Sequence, residues 1–354
     1  MQKRVFLPFV ALVALFALPT LASATIVYSK SSTLSSAVNA SIYTANDDGT
    51  GVALLPVKGG DPVISPNGAT VAYGYVTNTK TWFTELRFLN ISTGVMVSTK
   101  KSCVNPVWSP DSTTVLCETM SQTGSDIKGF GLDAINTAGV ASIIVPSVGY
   151  TISGYSWSPN GQQVVWGQSS WSVSARGLSR VVLRMGKPDG SGTPTKLGPG
   201  EGPLWGPSTI AFTRVTSSRA PHGVRMYHTQ IWTVDPTSGA SSAEVLTAYR
   251  AKGFVSGPTP LQWTPDGKNI VGTLVGMDHI QPIYVNATTG RIRMFGPSNA
   301  APMAVAADGK SALVVANLMG GGTQVAYVSP LGKVASSLIL KNVGTVSVTA
   351  NWQQ

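Results

Sequence analysis

Apolar residues occur along this chain in short runs, each bounded by glycine, proline, asparagine, aspartate or serine. No stretch after residue 24 repeats apolar residues at the spacing of an α-helix. The clearest runs are IVYS (26–29), VAYG (71–74), VLCE (115–118), VVWG (164–167), IAFT (210–213), IVGT (270–273) and LVVA (313–316). Short runs between turn-forming residues are typical of β-strands. The pattern therefore predicts an all-β protein.

A turn element precedes most of these strands. It reads VISPNG at 63–68, VWSPDS at 107–112, SWSPNG at 156–161 and QWTPDG at 262–267, with weaker copies LWGPST at 204–209 and AVAADG at 304–309. Proline sets φ for the second turn position, and Asp/Asn-Gly supplies the side-chain hydrogen bond and the permissive backbone that follow. Each element should therefore close a hairpin between an anchor strand and the next strand.

A third strand with its own turn also recurs seven times. The copies are IYTANDDG (42–49), LRFLNISTG (86–94), LDAINTAG (132–139), VLRMGKPDG (182–190), IWTVDPTSG (231–239), IYVNATTG (283–290) and VAYVSPLG (325–332). The anchor positions are Ile64, Trp108, Trp157, Trp205, Trp263, Val305 and Trp352. Their spacing, mostly in the forties, is typical of four-stranded repeats arranged in a ring.

The strand count predicts how the ring closes. The N-terminal unit lacks an anchor strand, whereas the tail around Val346 to Trp352 supplies one with nothing after it. Pairing of this C-terminal strand into the N-terminal blade would remove the exposed sheet edges. We therefore expect a β-propeller of seven four-stranded blades, with six blades as the alternative if one weak repeat does not form a full sheet.

The Ser-Pro-Asp-Gly turn, the following V-x-Y strand and the hairpin after it resemble the repeats of TolB-type, WD40-like propellers. Similar repeats form the propellers of prolyl-oligopeptidase-like peptidases and of oligogalacturonate lyases. The resemblance covers nearly all of the chain after residue 24 and implies the fold. It does not extend to the α/β domain that precedes the propeller in TolB, nor is there a Gly-x-Ser-x-Gly nucleophile motif.

The first 24 residues have the pattern of a secretory signal. Lys3 and Arg4 precede an apolar run from Val5 to Leu18, and Ala22-Ser23-Ala24 supplies a cleavage site. We expect cleavage before Thr25, a single propeller domain over 25–354, and export to the periplasm or the cell exterior. No segment after the signal is long and apolar enough to span a membrane.

Charge gives the first indication of partners. The net charge is +10, and removal of Lys3 and Arg4 leaves +8. A basic exported protein can bind an anionic glycan or an acidic protein. Nucleic acid is disfavoured, because no nucleic-acid-binding motif is present.

Basic residues gather in the connections between second and third strands, where variable loops on a rigid scaffold tend to carry binding residues. These connections hold Lys30, Lys80, Lys128, Arg176, Arg180, Arg214, Arg219 and Arg225 against Glu85, Asp126 and Asp278. They also hold the aromatic residues Trp82, Phe83, Phe130, Trp171 and Tyr227. The leading hypothesis is a binding scaffold without catalysis or cofactor, whose candidate ligand-binding residues are Arg176, Arg180, Arg219, His222, Arg225, His228, His279 and Trp171. A solvated surface without a specific role is the alternative interpretation of the same charges.

All three histidines, His222, His228 and His279, fall in this same set of loops. Three histidines could bind a metal ion. The resemblance to oligogalacturonate lyases then implies a second hypothesis, a metal-assisted polyuronate lyase. Surface histidines in polar loops are the simpler interpretation, because the spacing matches no metal-binding motif and nearby arginines would repel a cation.

The chain has two cysteines, Cys103 and Cys117. An oxidising compartment permits a disulfide between them. Cys103 falls near the far end of the hairpin that contains Cys117, so a local bridge is one possibility. Two separately buried thiols are the other.

Overall fold

The computed structural model describes residues 25–30, 40–78, 83–123, 126–171, 181–219, 225–237, 258–275, 280–306, 309–317, 324–331, 337–340 and 348–351. Over these residues the chain forms 26 strands joined by turns. The all-β prediction is confirmed. The expected signal, residues 1–24, lies outside the described residues. Within them, no helix exists that could cross a membrane.

The strands follow one another in short steps along the chain. They are β1 (Thr25–Lys30), β2 (Ala40–Asn46), β3 (Ala53–Ile64), β4 (Thr70–Asn78), β5 (Phe83–Asn90), β6 (Met96–Ser102), β7 (Val104–Trp108), β8 (Thr114–Thr123), β9 (Asp126–Asn136), β10 (Ala141–Val145), β11 (Tyr150–Trp157), β12 (Val164–Ser170), β13 (Val182–Gly186), β14 (Thr195–Pro199), β15 (Glu201–Trp205), β16 (Ile210–Arg219), β17 (Arg225–Val234), β18 (Pro258–Trp263), β19 (Asn269–Val275), β20 (Ile280–Asn286), β21 (Ile292–Met294), β22 (Ala300–Val305), β23 (Ser311–Asn317), β24 (Gln324–Pro330), β25 (Ser337–Leu340) and β26 (Val348–Asn351).

Antiparallel pairing groups the described strands into six sheets. Sheet 1 has the order β26-β1-β2-β3-β4-β5-β6, sheet 2 contains β7 to β10, sheet 3 contains β11 to β14, sheet 4 contains β15 to β17, sheet 5 contains β18 to β21 and sheet 6 contains β22 to β25. The first strands of successive sheets contact one another around a ring, from β11 through β15, β18 and β22 to β26 and β3. The architecture is a β-propeller.

The prediction of seven separate blades is not confirmed, and the six sheets match the stated alternative in number. The reason lies in β3. Its first part pairs with β2, for example Ala40 opposite Gly59, and its last part pairs with β4, with Ile64 opposite Val71. Because β3 is continuous, the strands on either side of it belong to one hydrogen-bonded sheet.

The ring is closed by the two ends of the chain. β26 pairs antiparallel with β1, with Asn351 opposite Thr25 and Val348 opposite Tyr28. This pairing places the C-terminal strand in the N-terminal sheet, as the strand count indicated. It also covers the edge of β1 that would otherwise be open to other chains.

Each repeated turn is held by two hydrogen bonds of one serine or threonine hydroxyl. Ser109 Oγ donates to Asp111 Oδ1 at 2.6 Å, and Ser109 Oγ in turn accepts from the Thr114 amide at 3.0 Å. Three other turns have the same two bonds. The hydroxyl donates from Ser65 to Asn67 (2.7 Å), from Ser158 to Asn160 (2.8 Å) and from Thr264 to Asp266 (2.6 Å), and each hydroxyl accepts from the amide five residues later. The sequence element thus specifies a turn whose buried hydroxyl is fully bonded.

The anchor tryptophans join neighbouring repeats. The indole Nε1 of Trp108 donates to the Val63 carbonyl at 3.1 Å, and that of Trp157 donates to the Val107 carbonyl at 3.1 Å. Trp263 makes the equivalent bond to Leu204. Each ring is buried between sheets while its one polar atom is bonded, which is the arrangement that buried tryptophan requires.

Two faces of the ring follow from this topology. The first-to-second and third-to-fourth turns lie side by side, since the Thr137 amide donates to the Thr113 carbonyl at 3.0 Å and the Leu331 amide to the Lys310 carbonyl at 2.9 Å. We call this side the turn face. The second-to-third connections leave the opposite ends of the same strands, and we call that side the loop face.

Cys103 and Cys117 are joined by a disulfide, with their Cα atoms 5.4 Å apart. Both side chains are buried in a cluster with Phe88, Trp108 and Ile135. The bridge ties the start of β7 to β8 within sheet 2, next to the junction with sheet 1.

Candidate functional site

The loop face is built from hairpins longer than the sequence indicated. Two of the second-to-third connections, residues 119–131 and 214–230, consist largely of paired strands. In the first, β8 and β9 continue to Thr123 and Asp126, and in the second β16 and β17 continue to Arg219 and Arg225. Strand pairing in both hairpins extends past the ordinary length of a blade strand. The loop face therefore carries two projecting β-ribbons, one from sheet 2 and one from sheet 4.

The ribbon of sheet 4 brings two candidate residues together. Ten residues of β16 pair with ten of β17 without a register shift, and Arg219 lies directly opposite Arg225. His228 lies opposite Thr216 in the same ribbon. Like charges at directly opposed positions destabilise a strand pair unless a group of opposite charge lies nearby. The end of the ribbon is therefore a place where an anion would be stabilising.

A third arginine lies at the base of the ribbon. The guanidinium carbon of Arg214 is 4.1 Å from the ring centre of Trp232 and 5.5 Å from that of Phe212. Arg214 Nη2 donates to the Pro199 carbonyl at 3.3 Å, while its Nε is buried with no hydrogen-bond partner. No carboxylate pairs with Arg214 among the described residues, so two aromatic rings and one backbone carbonyl hold its guanidinium in place.

Trp171 follows the end of β12, in sheet 3. Its ring meets the edge of Phe130 with 5.5 Å between ring centres, and its backbone amide donates to the Gly149 carbonyl at 2.8 Å. Its Nε1 is buried and has no hydrogen-bond partner in the described structure. A buried indole N–H without an acceptor is uncommon in folded proteins. Trp171 thus retains an unused donor on the loop face.

The acidic residues of these connections do little to offset the arginines. Glu85 is buried on β5, where its Oε2 accepts from Arg87 Nε (3.0 Å) and Nη2 (2.9 Å). It also accepts from the Ser98 hydroxyl and from the Lys100 amide. Burial raises the pKa of Glu85, but these hydrogen bonds together hold the pKa below its usual value. Glu85 is therefore a structural anion and not part of an open surface, which the sequence did not indicate.

Asp126 makes an exposed ion pair with Lys128, at 3.5 Å. Exposed pairs of this kind contribute little to stability, and they cancel locally as charge. The ribbon of sheet 2 is thus close to neutral where the ribbon of sheet 4 is basic.

Two further carboxyl groups are partly buried, Glu118 on β8 and Glu201 at the start of β15. Burial raises the pKa of Glu118, partly offset by a hydrogen bond from Asn105, and burial alone raises the pKa of Glu201. The Glu118 amide donates to the Tyr155 hydroxyl at 3.1 Å, and that hydroxyl donates to the Asn105 carbonyl at 2.5 Å. Both shifts favour the neutral form of the acid.

Four of the candidate residues, Arg176, Arg180, His222 and His279, lie outside the described residues. Of the proposed three-histidine metal set, the structure thus places only the backbone of His228. The described ranges contain no cluster of three or more histidine, cysteine, aspartate or glutamate residues that could hold a metal ion.

Comparison with known proteins gives the fold and no family. No family model matches the chain, and no curated protein matches it. Among solved structures, the β-propeller domain of the Trilobed protease from Pyrococcus furiosus matches with 11% identity and a TM-score of 0.59, over 86% of this chain and 88% of that one. An oligogalacturonate lyase in complex with manganese matches with 13% identity and a TM-score of 0.51, over 86% and 81%. TolB from Acinetobacter baumannii matches with 12% identity and a TM-score of 0.47, over 92% and 63%.

The matches to the Trilobed protease propeller and to the oligogalacturonate lyase agree with the β-propeller fold that the repeats predicted. At such low identity they establish the fold alone. This chain spans less than two thirds of several of the proteins that it matches, 63% of TolB and 46% of a prolyl endopeptidase. Propellers of this kind accompany very different functions, so the function has to be argued from the site.

Proposed function

We propose that this protein is an exported, non-catalytic binding scaffold whose loop face receives an anionic partner, either an anionic glycan or an acidic protein. The observation that carries the proposal is the direct opposition of Arg219 and Arg225 at the end of the β16–β17 ribbon. Two cations at one register position have a cost that a bound carboxylate removes.

Arg214 supports the same conclusion at the base of the ribbon. Its guanidinium is oriented by Trp232 and Phe212 and is not neutralised by a described carboxylate. Guanidinium groups bind carboxylates in a bidentate manner and remain charged at all physiological pH values. Five positions separate Arg214 from Arg219 in a strand without a register shift, so the two arginines lie on opposite faces of the ribbon. A partner that contacts both faces would need repeated carboxylates, as in a polyuronate or an acidic segment of a protein.

The test compares two polyanions that share the carboxylate group, polygalacturonate for a glycan and polyglutamate for a protein. Arg219→Glu/Arg225→Glu should weaken binding of the true partner class at least about tenfold, or about 1.4 kcal/mol. The matched control is Arg291→Glu/Arg293→Glu, an equal charge change at two exposed positions in or beside β21. An equal loss of binding in the Arg291/Arg293 control would show a non-specific charge effect. Unchanged binding by the Arg219/Arg225 variant would refute a role for the ribbon.

A metal-assisted polyuronate lyase is the second candidate. It is favoured by the shared fold with the oligogalacturonate lyase that was solved with manganese, and by the position of His228 on the basic ribbon. This function requires metal that co-purifies with the protein and is lost in His228→Ala, together with unsaturated products from polygalacturonate. Protein with bound manganese but no unsaturated product would exclude the lyase and leave a metal-containing scaffold.

We also infer that the ring comprises seven blades, two of which share β3. In support, β26, β1, β2 and the first part of β3 form one four-stranded unit, and the last part of β3 with β4, β5 and β6 forms another. Projection images of the purified protein along the ring axis would count the blades directly.

A further inference from the structure

A cleft of about 300 Å³ opens on the turn face between sheets 2 and 3. The apolar part of its lining includes Trp157, Ala134 and Val140, and the polar part includes Asp111 and Asp189. It lies on the side of the ring opposite the arginines of the loop face. Every residue that lines it belongs to the described part of the chain.

The cleft exists because one repeat differs from its neighbour. At the preceding junction, Phe88 on β5 lies opposite Val97 on β6, and Phe88 packs on the anchor Trp108 with 5.5 Å between ring centres. At this junction Ala134 lies opposite Ser142. The replacement of a phenylalanine and a valine by an alanine and a serine removes the side chains that would fill the space.

The cleft has an apolar floor. The Trp157 ring has its only donor bonded to the Val107 carbonyl, so it offers an apolar surface to the cleft. Val140 beside it is 63% exposed, and Pro188 lies on the other wall. This combination is suited to a short hydrocarbon stem.

The rim carries two carboxylates. Burial raises the pKa of Asp111, but hydrogen bonds from Ser109 and Thr113 outweigh it and hold the pKa below its usual value. Hydrogen bonds from Ser191 lower the pKa of Asp189, and Lys187 adds a small contribution. Both groups are therefore ionised at neutral pH. The Ser109 and Thr113 bonds all end on Asp111 Oδ1, which leaves Oδ2 for a ligand.

The charge of the cleft contrasts with that of the protein. The chain as a whole is strongly basic, yet no lysine or arginine is among the residues that line this cleft. Two carboxylates above an apolar floor complement a cation on an alkyl stem.

We propose that the cleft binds a primary alkylammonium group, as carried by a polyamine or by a lysine side chain of a partner. The stem contacts Trp157 and Val140, and the ammonium group donates to the carboxylates of Asp111 and Asp189. This site is independent of the loop face and takes a ligand of the opposite charge.

The experiment is calorimetric titration of the full mature chain with cadaverine, with 1,5-pentanediol as an uncharged ligand of similar length and glucose as a sugar. Saturable binding of cadaverine, with none of the other two, is the expected result. Nα-acetyl-lysine amide separates the two sources of the ammonium group, because equal or tighter binding of that compound identifies a protein side chain. The proposal would be overturned if pentanediol or glucose bound as tightly as cadaverine, or if no amine bound at all.

Other repeats of the chain carry different residues at the positions equivalent to those of the cleft, and these residues define the test variants. Ala134→Phe/Ser142→Val rebuilds the filled junction seen at Phe88 and Val97, and should abolish binding. Asp111→Asn introduces the residue that the same turn already uses at Asn67 and Asn160, so the turn should persist while cadaverine binding weakens at least tenfold. Arg219→Glu/Arg225→Glu should leave cadaverine binding unchanged. Full binding by both cleft variants would place the amine elsewhere and refute the assignment.

Discussion

Removal of the Cys103–Cys117 disulfide tests how the blade that follows β6 is held in the ring. The bridge closes a loop with a sequence separation of 14 residues around the turn between β7 and β8. Closing a loop of about 15 residues restricts the unfolded chain enough to stabilise the folded state by about 3 kcal/mol. Reduced wild-type protein should therefore unfold with a free energy about 3 kcal/mol lower than oxidised protein.

The double variant Cys103→Ala/Cys117→Ala should lose more stability than the wild type loses on reduction. Both sulfur atoms are buried against Phe88, Trp108 and Ile135, so truncation also removes packing contacts. Urea unfolding with and without reductant measures both differences, and the variant itself, which has no cysteine, should not respond to reductant. Equal stability of oxidised and reduced wild type, within about 0.5 kcal/mol, would refute the entropic argument for this bridge.

Two further predictions concern buried carboxylates. Burial raises the pKa of Asp133 to about 6, with Lys101 offsetting only part of the rise, so the folded protein holds this proton more tightly than the unfolded chain. Stability should then fall by up to about 3 kcal/mol as the pH rises from about 4 to 6, and Asp133→Asn should lack this decline in urea titrations; an identical slope in the variant would contradict the assignment. Arg87→Met should cost about 3 kcal/mol in urea unfolding, because it removes the guanidinium from the buried Glu85 carboxylate and leaves only the exposed Lys100 ammonium, 3.9 Å away, as its counter-charge. Adding Glu85→Gln should recover part of that loss, and a double variant no more stable than the single one would show that the charge is not the cause.

The repeats could be read from the sequence because each depends on contacts a few residues apart. The Ser109–Asp111 bond spans two positions, and the same spacing recurs at Ser65, Ser158 and Thr264. Strand order and closure of the ring followed from counting, since the lone C-terminal strand had one vacant edge to fill. The pairing of β26 with β1 agrees with that count.

The candidate site was less accessible to the same reasoning. The sequence marked Arg219 and Arg225 as loop residues, but their direct opposition depends on the length of the β16–β17 ribbon. Glu85 counted as a loop charge, although it is buried against Arg87 in a sheet. Periodicity alone does not say where a hairpin ends, because polar residues occur both in loops and on exposed ribbons.

The sequence by itself determined an all-β chain of repeated hairpins, its turn chemistry and the pairing of its two ends. Only the tertiary structure decided that β3 joins two units in one sheet, that Arg214 rests on Trp232, and that Ala134 opens a cleft which Phe88 fills at the preceding junction. The hairpins and turns depend on local spacing along one strand or turn, and the pairing of the ends follows from the count of strands. The second group depends on which side chains meet across sheets, and residues that meet there are about fifty positions apart in the chain, as Trp157 and Val107 are.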